Sequence, residues 1–223
     1  MYLYDTHVHS SEGSPCGYVS AAEQARAFKQ RGYAGIILTD HLSKGYDPFP
    51  PNLSWPERVQ YQLLGYENAK AEGHKIGLDV FFGWEFASAK DKSYDILTYG
   101  LGAEFLLAHP NILEYGVQEY SEAVRKHGGY LAQAHPFRWA KYNDTVPPHL
   151  LDGIEVFNST DNEIKNTLAR EFATTNNLPM QAGSDSHYTY EPSKPCGVLL
   201  QNPAKNIHDI ISAIKNGAEL MTF

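Results

Sequence analysis

Cysteine is nearly absent: Cys16 and Cys196 are the whole complement of the 223 residues, too few and too far apart for a disulfide framework or a cysteine-built zinc knot. Both are expected as reduced thiols. Long hydrophobic runs are missing too. No stretch approaches the ~18 apolar residues that cross a bilayer, and Met1-Tyr2-Leu3-Tyr4-Asp5 has neither the basic nor the apolar segment of a signal peptide. A soluble, cytoplasmic protein with no membrane partner is expected. Positive charge is outweighed, 18 Lys and Arg standing against 26 Asp and Glu for a formal net charge of −8 at pH 7. Such a balance argues against gripping a phosphate backbone, so no stable nucleic-acid partner is expected. Composition sets no oligomeric state.

What the chain does have is a regular alternation. Hydrophobic residues make up 42% of it, enough at this length to bury one sizeable core, and 1–223 is read as a single domain. Short apolar runs at 3–9, 35–39, 80–86, 94–101, 130–134, 153–157 and 180–184 read as seven strands, followed by a short terminal one at 219–223. Helical patterns fall between them at 21–31, 57–72, 117–127, 162–176 and 207–216, with Gly32, Gly73 and Gly128-Gly129 placed as stop signals. Alternating β and α elements imply mostly parallel strands with right-handed crossovers, in an open sheet or a closed barrel. The segment 47–56, rich in proline, reads as a loop over the mouth.

Histidine decides between sheet and barrel. Ten are present, and His74, His127, His149 and His208 sit in polar contexts that need no special account; His109, before Pro110, is equally bland. The others end strands. His7 and His9 close the first, Asp40-His41 the second, Glu85 the third, His135 the fifth, Asn158 the sixth, and Asp185 with His187 the seventh, while Asp95 opens the fourth. An open sheet gathers ligands near one switch point, whereas contributions from this many strands converge only if the sheet curls into a barrel. The two-residue spacing in His7-Val8-His9 and in Asp185-Ser186-His187 puts each pair on one side of an extended chain, a reach suited to clasping a metal ion.

These motifs, in this order, resemble those of the PHP superfamily, named for its polymerase and histidinol phosphatase members, over Tyr4 to His187. The resemblance implies a distorted seven-stranded (β/α)7 TIM-like barrel, two or three divalent ions (Zn, Mn or Fe), and phosphoester hydrolysis through a hydroxide shared between ions. It implies that His7, His9 and Asp185 hold one metal, that Glu85 bridges to a second bound by His135, and that His41 and His187 hold a third. The loop after His9 offers Glu12 to complete that third set. Asp95 stands where many members have a histidine, and either binds the second ion or orients an imidazole beside it. Asp40 is expected to fix the tautomer of a ligating histidine.

Two ions about 3.5–4 Å apart lower the pKa of a shared water and neutralise charge on phosphoryl oxygens, so no side-chain nucleophile is needed. Glu85 and Asp185 serve as ligands in that scheme, and His187, His41 or a third ion assists the leaving oxygen. Arg138, three residues after His135, is the first candidate to hold a substrate phosphate, and Lys44 the second, against the alternative of ordinary surface charge. Asn158 either hydrogen-bonds substrate or caps a turn. Tyr188 and Tyr190 are candidates to line the pocket. The expected substrate is a small phosphorylated molecule: a phosphomonoester, a nucleotide or a short oligonucleotide. C–N hydrolysis by the same metals, or a metal-holding module without turnover, are the competing readings.

Overall fold

The computed structural model describes residues 1–91, 94–138, 145–189 and 191–223. Each expected strand forms: β1 (Tyr2–Val8), β2 (Gly35–Leu38), β4 (Asp79–Ala87), β5 (Asp95–Tyr99), β6 (Tyr130–Gln133), β7 (Gly153–Asn158), β8 (Met180–Gly183) and the terminal β10 (Glu219–Met221). Two more arise that the apolar pattern did not mark, β3 (His41–Ser43) and β9 (Gly197–Leu200). The sheet runs in the order β10-β9-β1-β2-β4-β5-β6-β7-β8, with β3 pairing farther along β4. β3 therefore continues the line of β2, and its register sets His41 opposite Glu85.

The ring closes between the segment after β8, at one end of that order, and β1, two strands in from the other end. Asp185 donates its amide to the His7 carbonyl at 2.8 Å and His9 donates to the Ser186 carbonyl at 3.0 Å, forming a parallel bridge between Val8 and Ser186. The lower half of the same edge of β1 is taken by β9, antiparallel to it. The result is a nearly closed, distorted α/β barrel. β5 is the distortion, since it lies antiparallel to both β4 and β6; the link from Ala87 to Asp95 is too short for the dozen or more residues of a parallel crossover. Consequently the first residue of β5, not its last, lies at the mouth.

β2, β6 and β7 are buried along their whole length, as strands covered on both faces must be. Around them lie α1 (Ala21–Gln30), α2 (Trp55–Ile76), α3 (Ala103–Ala108), α4 (Val117–Lys126), α5 (Glu163–Asn176) and α6 (Ile207–Lys215). α1 and α2 start in capping boxes, Ser20 with Glu23 and Ser54 with Glu57. The stop expected at Gly73 is overridden: α2 runs on to Ile76 and ends at Gly77, in the left-handed conformation. Gly73 serves close packing instead, because a Cβ there would stand 2.5 Å from the Leu78 carbonyl oxygen. The core on the α3–α4 side centres on Trp84, Phe86 and Tyr120, where Trp84 donates to the Tyr120 hydroxyl at 2.6 Å and the Phe86 ring stacks on Tyr120 at 3.7 Å. Among the described residues no helix is long and apolar enough to cross a membrane.

Candidate metal centre

Period-two alternation sends His7, in β1, and His9, just past its end, into the barrel mouth, both fully buried. Their Nε2 atoms face each other at 3.0 Å. Asp185 Oδ1 stands 3.4 Å from His7 Nε2 and 3.2 Å from His9 Nε2, brought there by the turn after β8. Glu85, in β4, lies at the centre: Oε2 is 3.5, 3.3 and 3.1 Å from nitrogens of His7, His9 and His41, while Oε1 is 2.9 Å from His135 Nε2. One carboxylate thus turns its two oxygens to two different groups of imidazoles, which is what a bridging ligand needs. Two of the supporting residues have positive backbone angles, His135 at φ 26° and Asp185 at φ 55°, a conformation uncommon outside glycine and concentrated at functional sites.

The ring orientations are set from behind. His7 turns Nδ1 to Glu155 Oε1 at 3.1 Å, His9 turns Nδ1 to the Ser14 hydroxyl at 2.9 Å, and His187 turns Nδ1 to the Asp185 carbonyl at 2.7 Å. With Nδ1 committed in this way, Nε2 is the nitrogen each ring would offer to a metal ion. Asp40 acts one step further out, accepting from the Ser14 hydroxyl at 2.8 Å and from the Ser10 amide and hydroxyl at 2.7 and 2.6 Å. It therefore steadies His9 through Ser14. α2 approaches closely enough that a Cβ on Gly65 would sit 2.5 Å from Ser10 Oγ and 2.6 Å from Asp40 Oδ2.

The donor set fits divalent ions. His7, His9 and Asp185 offer ligand atoms that all lie within 4.8 Å of one another, as do His7, Glu85 and His135. Glu85 Oε2 and His41 Nδ1 are buried with no hydrogen-bond partner, an arrangement that a cation beside them resolves. Charge tells the same story. Burial would drive the His7 and His9 imidazoles neutral, but Asp185, Glu85 and, for His7, Glu155 outweigh it, lifting His7 well above its ordinary pKa and His9 to about 9. Burial opposes the charged forms of Glu85 and Asp185 as well, yet the surrounding imidazoles, with Arg138 beside Asp185, hold both carboxylates well below the usual range. The cluster demands positive charge at its centre.

A family model described as PHP-associated matches residues 163–218, a span that includes Asp185 and His187. The chain resembles the PHP superfamily. A two-domain protein of Bacteroides vulgatus containing a predicted PHP-like metal-dependent phosphoesterase has the same fold, with a TM-score of 0.74 and 18% identity over 99% of this chain and 64% of that one; the chain thus spans just under two thirds of that protein. PsfC from Pseudomonas syringae matches with a TM-score of 0.63 and 18% identity, covering 95% of this chain and 88% of its own. An amidohydrolase from Chromobacterium violaceum, holding sulfate and no metal, matches at 0.59 and 15% identity, with 98% and 97% covered. At these identities the likeness is one of fold. No curated protein sequence matches the chain significantly.

Within this barrel the structure brings His7, His9, His41, Glu85, His135, Asp185 and His187 together. His187 stacks on His9 at 4.7 Å, and His41 lies 4.6 Å from the same ring. Asp95 stands at the edge, 3.9 Å from His135 Nε2, and burial, reinforced by the charge of Glu85, pushes its carboxyl up to about 6. Glu12 is not brought in. Its carboxylate accepts from the Ala21 amide at 2.9 Å and from Asn68 Nδ2 at 3.1 Å, at the N-terminus of α1, where a helix attracts negative charge. Arg138 reaches Asp185 Oδ2 at 2.6 Å, Asp161 at 3.2 Å and Thr160 at 2.7 Å. Asn158 donates to Glu155 at 2.8 Å and to Asp185 at 3.4 Å, and accepts from Thr160 within its own turn, so it braces the site and the turn together. Lys44 pairs with Glu114 at 2.5 Å, both more than half exposed on the rim. Tyr188 stacks on Tyr18 at 4.6 Å; Tyr190 lies outside the described residues.

Sequence reasoning missed Glu155, Ser14 and Cys16. Glu155 had a signal, a lone carboxylate inside the apolar strand Gly-Ile-Glu-Val-Phe, where an unpaired charge is not tolerated. Ser14 and Cys16 had none, since loop conformation alone aims them. The mouth opens into a cleft of about 890 Å³, bordered by Cys16, His41, Lys90, Asp95, Arg138 and His187, a volume suited to a small molecule.

Proposed function

We propose that the chain is a metal-dependent phosphoesterase that hydrolyses a small phosphorylated substrate, with His7, His9 and Asp185 holding one divalent ion, Glu85 shared with a second held by His135 and edged by Asp95, and His41 with His187 serving a third. The observation that carries this reading is Glu85, whose two oxygens face His7, His9 and His41 on one side and His135 on the other, at 2.9–3.5 Å. When bound, such ions supply a reactive water near neutral pH and neutralise charge that develops on phosphoryl oxygens. The chain's own part is orientation. Glu155, Ser14 and the Asp185 carbonyl lock the imidazoles, and Asp40 locks Ser14. Arg138 places a guanidinium at the cleft wall, where its remaining donors can meet a phosphoryl oxygen while it holds Asp185. His187 and His41, on the cleft side, would serve the leaving oxygen by holding an ion there and not as proton donors, because burial leaves both imidazoles neutral.

C–N hydrolysis is the second reading, favoured by one feature: Arg138 is already engaged by Asp185, Asp161 and Thr160, and Lys44 by Glu114. The test is to strip the purified chain of metal, reload it with Zn, Mn or Fe(II), count ions per chain, and screen phosphate esters beside amides. Phosphate release that needs at least two ions supports the proposal. Amide cleavage alone moves the reaction to the second reading, and ester hydrolysis by the metal-free chain ends both.

A further inference from the structure

The Cys16 sulfur is not a bystander of the cleft. It lies 3.1 Å from His187 Nε2. The donor atoms of His9, Cys16 and His41 all lie within 4.8 Å of one another, but His9 Nε2 faces Asp185 and Glu85 and cannot serve two ions. That leaves Cys16 and His41 on the open side of the centre, with His187 joined to them through the sulfur 3.1 Å from its Nε2. His187 Nε2 is a lone-pair donor because Nδ1 is committed to the Asp185 carbonyl. His41 Nδ1 is buried without a hydrogen-bond partner, next to the equally unpartnered Oε2 of Glu85, which is 1% exposed.

We propose that Cys16 is a metal ligand and that, with His41 and His187, it forms a thiolate–imidazole site for a soft or borderline divalent ion, Zn or Fe(II), distinct from the oxygen-rich pair around Glu85. The inference rests on the phosphoesterase reading for the inner ions but not on their number. Bond lengths of about 2.3 Å to sulfur and 2.0–2.1 Å to nitrogen in a tetrahedron separate S and N donors by roughly 3.6 Å; the observed 3.1 Å needs an opening of half an ångström, within reach of a rotamer adjustment in a half-buried side chain. Three protein ligands facing a cleft leave a fourth position for water or substrate, the pattern of catalytic rather than structural zinc. Thiolate selects Zn and Fe(II) over Mn. Cys16 takes the place that the sequence offered to Glu12. Binding replaces the S–H bond by an S–metal bond and releases that proton to solvent.

Cobalt(II) titration of the full chain tests this without recourse to activity. The wild type is expected to gain a thiolate-to-cobalt charge-transfer band in the near ultraviolet. Cys16→Ala should lose the band and one ion per chain, while Glu12→Gln keeps both. Separately, Zn should slow alkylation of Cys16 by iodoacetamide at least tenfold, a protection that Mn does not give. Far-ultraviolet circular dichroism of Cys16→Ala confirms that the fold survives; if it does not, the protection experiment on the unaltered chain decides. Two cobalt ions bound without the band, or a band retained in Cys16→Ala, overturns the Cys16 site and leaves the phosphoesterase proposal standing. A chain that binds no cobalt overturns both.

Discussion

Two corners of one mouth hold the same residue type under opposite conditions. At the inner corner His7 and His9 are fully buried between Asp185 and Glu85, with Glu155 behind His7, and these carboxylates hold both imidazoles above their ordinary pKa. At the outer corner burial, joined by the positive charge of His9, pushes His41 down to about 3 and His187 to about 4, although Asp185 pulls both the other way and Glu85 pulls on His41. The lesson is that proximity to the same two acids does not fix the state of a histidine. The inner pair takes up protons unless a metal displaces them, whereas the outer pair stands ready with free lone pairs.

The largest expected effect comes from removing one histidine at each corner. His9→Ala should lower phosphate release by at least about 100-fold and empty the inner ion, since loss of an inner ligand exceeds the 10–100-fold cost of disturbing an outer partner. His187→Ala should spare the inner ions, and metal counts per chain on both variants would show it; equal losses would mean that the corners form one cooperative unit. Protons give the next contrast. Below about pH 9 a proton must leave His9 when its ion binds, so inner-site affinity should rise with pH towards 9. The outer imidazoles, titrating near 3 and 4, release none at neutral pH, so the proton released on filling that site should be the Cys16 thiol's alone. Calorimetry in buffers of different ionisation heat counts these protons, and a flat inner profile would break the comparison.

Ser14→Ala removes the acceptor that orients His9 and should weaken the inner ion about 10–100-fold while leaving the outer one within a few-fold, measured by competition with a chelating dye. Arg138→Ala separates two roles: a rise in KM alone marks contact with substrate, whereas loss of inner metal marks support of Asp185. The smallest effect lies in the scaffold. Gly65→Ala forces a Cβ against Ser10 and Asp40 and should cost about 1–3 kcal/mol in chemical denaturation. It should also loosen the inner ion before the outer, because Asp40 reaches the site through Ser14.

Much of this was legible without coordinates. Strand ends bearing His7, His9, His41, Glu85, His135 and Asp185 implied a curled sheet, because only closure lets distant segments converge, and the bridge between Val8 and Ser186 is that closure. The reversed direction of β5 was also within reach, in the short link before Asp95. β3 was not, since three residues carry no periodicity; its pairing with β4 is what sets His41 against Glu85. Nor was the bracing role of Arg138, whose partners Asp161 and Asp185 come from two other turns, or of Asn158, which reaches Asp185 beyond its own strand.

The sequence by itself determined the donor types, their order, and the two-residue spacings that put His7 with His9 on one side of an extended strand, because those follow from local geometry. Tertiary structure decided which loop residue faces the mouth. Glu12 and Cys16 are four positions apart, and a carboxylate is the better expectation for a divalent ion on chemistry alone. The fold brings the start of α1 beside Glu12, whose charge is drawn to the Ala21 amide, and the turn that follows, closed by Ser14 on the Ser10 carbonyl and Gly17 on the Ser14 carbonyl, aims the Cys16 sulfur at His187. Local spacing cannot foresee that choice, since a helix terminus competing for the same carboxylate exists only once the chain has folded.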